Sequence, residues 1–145
     1  KAINFGLALH YMLEMMAEFS ISSIADAKNM MLNKYGYTID ADEVQEIESR
    51  IVHLLQNEEF TSLLDGEIYK EQAIRYKNNF RYIDLLIKHE DGSFTVIDYK
   101  TSQNYAQNHK NQVKHYMEAI GEITKQKVSG YIVYLMHKKV SVAIL

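Results

Sequence analysis

The hydrophobic rhythm of this chain changes once, at Asp65-Gly66, and that single change limits the folds open to it. Before it, apolar residues recur at helical steps, with Phe5, Leu9, Leu13, Met16 and Phe19 in one series and Ile24, Ala27, Met31 and Leu32 in another. Ser22 and Ser23 stand where a cap would, and Gly36 is placed to end the second helix. Asp40 or Asp42 suits the start of a third helix, whose stripe is Val44, Ile47, Ile51, Leu54 and Leu55. Its first turn is acidic, which favours the positive end of the helix dipole. A short fourth helix fits residues 58–64, and Met12, Met15, Met16, Met30 and Met31 read as filler between helices.

After Asp65-Gly66 the pattern turns to β-prone runs at 67–76, 81–88 and 94–99, divided by Lys77-Asn78-Asn79 and Glu90-Asp91-Gly92-Ser93. Tight connections of that kind predict an antiparallel meander. An amphipathic stretch follows, with Val113, Tyr116, Met117, Ile120 and Ile123 at helical spacing, then strand-like runs at 131–136 and 140–145. A strand, a crossover helix and a strand place the later strand parallel to the earlier one. The expected fold is therefore α/β: a mixed central sheet, with antiparallel meander, crossover helix and further strands, flanked by helices. Residues 1–64 supply the helical part and 65–145 the sheet, in one domain.

Composition narrows the chemistry. With no cysteine among its 145 residues, the chain is expected to hold no iron–sulfur cluster, no Cys-based zinc and no thiol nucleophile. Nothing signals an oxidising compartment, so the cytoplasm is the expected location. No apolar run approaches the roughly 18 residues of a membrane helix, and no membrane partner is expected. The sequence opens on Lys1 and closes on apolar Ile144 and Leu145, which suggests a domain excised from a larger chain. The net charge is −3, yet residues 40–65 hold eight acids against Arg50 alone, while residues 100–139 hold seven lysines against two glutamates. Solvated helix and strand faces are the ordinary reading of such runs; the alternative is that one half avoids phosphates while the other faces a polyanion.

Val96-Ile97-Asp98-Tyr99-Lys100-Thr101 carries the most chemistry. An acid and a lysine two residues apart on a strand leave the same face. Asp84 is a second acid in an apolar strand, one hairpin earlier, so strand pairing can set it beside Asp98. Side-by-side carboxylates repel unless a cation or proton separates them, and a hard divalent ion takes such oxygen ligands. A lysine there can orient a water or hold a phosphate oxygen while the ion polarises phosphorus. The implied reaction is phosphodiester hydrolysis. A plain ion pair tying the sheet together is the alternative for each residue alone, but burying all three charges for stability is poor value.

These residues resemble the PD-(D/E)XK nuclease superfamily, and within it the RecB/AddA-type nuclease domains of bacterial helicase-nucleases. Gly6-Leu7-Ala8-Leu9-His10 resembles the Gly-x-x-x-His helix and is followed by Leu13-Glu14. The Asp84 strand is similar to the strand of the first metal acid, Asp98-Tyr99-Lys100-Thr101 to the Asp-Tyr-Lys-Thr core, and Gln112 to Tyr116 to the Gln-x-x-x-Tyr helix. The glycine usual two residues before the first metal acid is Tyr82 here. The resemblance implies a restriction-endonuclease-like fold in which His10, Asp84, Asp98 and the backbone carbonyl of Tyr99 surround Mg²⁺ or Mn²⁺, with Lys100 catalytic. Gln112 and Tyr116, with Thr101 beside them, would support the site or touch DNA. Glu71 is a further candidate base behind it, as is Glu67, and Glu14 can orient His10 from one helical turn away.

Tyr105, Tyr116, Tyr131 and Tyr134, flanked by lysines, can stack on bases, although tyrosines at such positions usually serve packing first. The function expected from all this is a Mg²⁺-dependent deoxyribonuclease, exonucleolytic rather than endonucleolytic. Its substrate would be single-stranded DNA or an unwound end, fed by a helicase region in the same polypeptide or complex during DNA recombination and repair. A catalytically inactive, nuclease-like scaffold that binds DNA or a protein is the alternative.

Overall fold

Ala8, Leu9, Met12 and Leu13 lie on one stripe of helix α1 (Ala2–Met15), and all four are buried. The computed structural model describes residues 2–145. Helix α1 ends before Met16 and Phe19, so the helical series expected to run through them stops one turn early. The reason is a lysine from the sheet: Lys70 Nζ donates to the carbonyls of Leu13 at 2.9 Å and Met16 at 2.5 Å, satisfying the helix end. A 3-10 turn (Ile21–Ser23) leads into α2 (Ile24–Tyr35), which ends at Gly36. Helix α3 (Ala41–Gln56) starts on a reciprocal cap, with the Glu43 N–H donating to Asp40 at 2.8 Å and the Asp40 N–H donating to Glu43 at 3.1 Å. Helix α4 (Glu58–Thr61) is capped by Asn57 and continues as a 3-10 turn (Ser62–Leu64).

The sheet follows as β1 (Glu67–Tyr76), β2 (Asn79–Lys88), β3 (Phe94–Lys100), α5 (Ala106–Thr124), β4 (Val128–Met136) and β5 (Lys139–Ile144). Its order is sequential, β1-β2-β3-β4-β5, antiparallel except for the parallel β3–β4 pair that α5 connects. The fold is thus the mixed, helix-flanked sheet expected. Strand β2 begins at Asn79 rather than Arg81, because Lys77 and Asn78 alone make the turn, both at positive φ (50° and 65°) as a tight hairpin requires.

Alternation along the strands builds two cores. Leu85, Ile87, Ile97, Tyr99, Val133 and Leu135 point to α1–α4, while Leu86, Val96, Ile132 and Tyr134 point to Val113, Tyr116, Ala119 and Ile120 of α5. Gly130 on β4 lets α5 approach closely, since a Cβ there would lie 2.4 Å from Met117 Sδ. Met12, Met16 and Met31 are buried filler as expected, whereas Met30 is exposed. Among the described residues, no helix is long and apolar enough to cross a membrane.

Candidate active site

The site forms where β2 and β3 part. Their ladder runs from Lys88↔Phe94 to Leu85↔Ile97 and stops, one step short of setting Asp84 opposite Asp98. Asp84 instead turns its carboxylate onto neighbouring groups. Its Oδ2 accepts the Tyr99 N–H at 2.9 Å and lies 3.3 Å from His10 Nε2, which α1 delivers across the sheet. His10 Nε2 also meets the Tyr99 carbonyl at 3.0 Å, and Nδ1 meets the Gly6 carbonyl at 2.8 Å, one turn back on α1.

A kink in β1 brings in a further acid. The β1–β2 register is the same on both sides of Glu71 and Asp84, at Lys70↔Leu85 and Gln72↔Ile83, but that one pair is missing and Glu71 has φ 47°. Lys70 bonds to α1 and Leu85 packs with it, while Ile74 and Ile83 pack with α5. The alternation therefore slips by one residue on both strands at once. Glu71 and Asp84 consequently share the α1 side, lining one recess with His10, Leu13, Glu14, Lys70 and Tyr99.

Asp98 and Lys100 share the other side, as their spacing predicts, with Lys100 Nζ 3.0 Å from Asp98 Oδ2. Lys100 also donates to Gln112 Oε1 at 3.2 Å, and Gln112 Nε2 donates to the Tyr116 hydroxyl at 3.0 Å. Helix α5 thereby aims the ammonium group. His10, Lys100, Thr101, Ser102, Asn104, Tyr105 and His109 line an open depression beside it.

Charge in this cluster is unevenly shared. Burial lowers the affinity of His10 for a proton, but the hydrogen bond and charge of Asp84, with the two carbonyls, overcome it and raise its pKa to about 9. Asp84 is half-buried and desolvation works against its charge, yet His10 and the Tyr99 N–H hold its carboxyl below the usual range. Asp98 is pushed up to about 7 by burial and by the charge of Asp84, which outweigh Lys100. Glu71 rises to about 7 through burial, Asp84 and Glu14. Asp84 thus has a carboxyl neighbour on each side, Glu71 and Asp98, and such crowding calls for positive charge.

Do these residues fit a divalent cation? Asp98 Oδ2 is buried and has no hydrogen-bond partner; Lys100 is near enough to attract it but is not aligned as a donor. An orphaned carboxylate oxygen beside a second carboxylate and the Tyr99 carbonyl is a hard, oxygen-rich donor set, and it fits. Among the described residues, however, no three His, Asp or Glu side chains converge at ligand distance. His10 reaches the group as expected, but both its nitrogens face acceptors. In this arrangement it bridges Asp84 and the Tyr99 carbonyl, with Nε2 as the nitrogen that faces the carboxylate.

The remaining candidates separate. Glu67 bonds to the exposed Tyr69 and lies away from the site. Tyr116 and Tyr134 are buried and Tyr131 is half-buried, so packing claims them, whereas Tyr105 is 77% exposed at the mouth of the depression. Sequence reading missed Lys70, which the adjacent charges Lys70-Glu71 inside a strand could have flagged. It also missed the groove of about 400 Å³ lined by Asn79, Arg81, Asn108, Asn111, Gln112 and His115.

Comparison with known proteins bears on the fold and the family. No curated protein matches the chain. Among solved structures, one from Eubacterium rectale, provisionally described as an exonuclease, superposes with a TM-score of 0.62 at 11% identity over 97% of this chain and 59% of that one. The protein SSO0001 gives a TM-score of 0.38 at 16% identity over 81% of this chain and 60% of that one, a likeness too slight to argue from. This chain therefore spans about three-fifths of each. The first likeness shows the fold, a mixed sheet flanked by helices of restriction-endonuclease type. The family assignment comes from the sequence, where the description "PD-(D/E)XK nuclease superfamily" matches residues 1–142. Nearly the whole length is covered, and the chain belongs to that superfamily.

Proposed function

We propose that this chain is a divalent-metal-dependent DNA nuclease, working as the exonuclease domain beside a helicase region in DNA recombination and repair. The observation that carries the proposal is the convergence of Asp84, Asp98, the Tyr99 carbonyl and Lys100 where β2 and β3 part. Family membership supports it, since nucleases of this superfamily generally work with divalent metal ions. Asp84, Asp98 and the Tyr99 carbonyl would hold Mg²⁺ or Mn²⁺, with His10 joining them once its proton is released. The bound ion would polarise the phosphate and make water more acidic.

The chain's own groups do the rest. Water adds to phosphorus and gives up a proton, while the bond to the leaving oxygen breaks and that oxygen takes a proton up to leave as a hydroxyl. Lys100 stabilises the negative charge gathering on the phosphate, or fixes the attacking water, from a position set by Asp98 and Gln112. Glu71, with a pKa near 7, is suited to hold and pass a proton at the recess. The contacts of both His10 nitrogens with carbonyl oxygens favour a second reading, in which the site holds no metal and serves an inactive DNA- or protein-binding scaffold.

One experiment separates the two readings. The chain, alone and in its natural polypeptide context, is incubated with single- and double-stranded DNA in Mg²⁺ or Mn²⁺, with Asp98→Asn as control. Cleavage lost in Asp98→Asn supports the nuclease; no cleavage under any of these conditions leaves the scaffold.

A further inference from the structure

The outer half of the β1–β2 hairpin, beyond the kink, reaches past β3, which pairs with β2 only as far as Leu85. Its two faces differ. Ile74 and Ile83 pack against α5, and Asn79 and Arg81 line the groove beside it. Alternation turns Ala73, Arg75, Phe80 and Tyr82 to the opposite face, and all four are exposed. Phe80 is 50% and Tyr82 55% exposed, with their rings 5.3 Å apart at 86°, so each fixes the tilt of the other. Arg75 lies across from Phe80, and the small Ala73 lies across from Tyr82. Exposed aromatic rings at adjacent same-face positions are costly to leave in water and ask for an occupant.

The same face leads to the site. Phe80, Tyr82 and Asp84 follow one another at steps of two, and Asp84 turns to His10 on that side. Tyr82 therefore sits about 7 Å along the strand from Asp84, with Phe80 one like step beyond. From Gln72 to Ile83 the hairpin carries Arg75, Lys77 and Arg81 and no acid, a cationic arm on a chain of net charge −3. The occupant this fits is a polyanion bearing flat apolar groups. We propose that Phe80 and Tyr82 form a base-stacking platform, with Arg75 as its phosphate contact, that holds a single DNA strand leading to Asp84 and so selects single strands or frayed ends over intact duplex.

The proposal rests on the nuclease reading and deepens it. Aromatic rings stack on any base whose face is free, while a duplex hides those faces between neighbouring pairs. Selectivity then comes from the state of the DNA rather than its sequence.

The test is fluorescence anisotropy at low salt in EDTA, where nothing is cut, with a labelled oligothymidylate and a blunt duplex of equal length as probes. The double variant Phe80→Ala, Tyr82→Ala is expected to bind the oligothymidylate about 10- to 100-fold more weakly, as loss of base–aromatic stacking implies, with little change on duplex. Tyr82→Phe should retain binding, and Tyr82→Leu, which keeps apolar bulk without a ring, should not. A 2-aminopurine placed in the oligomer should be quenched by the parent and not by the double variant. Unchanged oligothymidylate affinity in the double variant overturns the platform while leaving the nuclease intact. Self-association of the parent that disappears in the double variant assigns the face to a second copy of the chain and overturns it too. A parent that binds neither probe overturns the platform together with the DNA reading.

Discussion

Lys100 is held from two sides, by Asp98 at 3.0 Å and Gln112 at 3.2 Å, and this divides its role from that of the acids. Lys100→Ala removes a positive charge without removing a carboxylate, so calorimetry should find metal binding retained while cleavage falls about 10²- to 10³-fold. Equal cleavage in that variant would remove Lys100 from the mechanism. Gln112→Ala keeps the ammonium but loses its aim, and a loss of roughly 10-fold in kcat with KM little changed is expected. Asp98, Lys100 and Asp84 were legible in the sequence because charges inside apolar strands are rare and a spacing of two fixes their face. Glu71 was visible only as one acid among several. Its left-handed φ is unusual for glutamate, and no flanking glycine or turn residue announces it. The double engagement of His10 was also hidden, since it depends on carbonyl positions that only the docked fold creates.

At the scale of the element, periodicity placed every long helix and strand, while the boundaries belonged to tertiary partners such as Lys70 at the end of α1. Helix α3 is tied to the sheet by polar contacts the sequence did not reveal. Arg50 donates to Glu46 at 2.7 Å and to the Leu135 carbonyl at 2.7 Å, and His137, in the β4–β5 turn, meets Glu46 at 3.0 Å. Burial works against the Glu46 carboxylate, but Arg50 and His137 outweigh it and hold its pKa below 4.5. A carboxyl with a lowered folded pKa binds protons more weakly than in the unfolded chain. Its stabilising effect is thus complete above pH 4.5 and is lost as pH falls through the lower folded value. Melting temperatures measured across this range should therefore drop less steeply for Glu46→Gln than for the parent. At the start of the same helix, Asp40→Ala should cost about 1 kcal/mol in denaturant unfolding, because it removes one half of the reciprocal cap.

For the whole molecule, the crowded carboxyls mean that cation binding and folding are linked. Mg²⁺ or Mn²⁺ at about 100 times its dissociation constant should stabilise the chain by about 2.7 kcal/mol, and the accompanying rise in melting temperature should vanish in Asp84→Ala, Asp98→Ala. A rise that persists in the double variant would place the ion elsewhere. The site also joins the two ends of the sequence pattern, because His10 meets the Tyr99 carbonyl across 89 residues of chain. Contacts of such long range form late in folding, after their loop-closure entropy has been met. A growing polypeptide thus displays α1 on the ribosome well before the strand that completes its partner exists. The acid cluster is therefore incomplete until the strand carrying Asp98 and Tyr99 has docked against α1, so a partly folded chain lacks it.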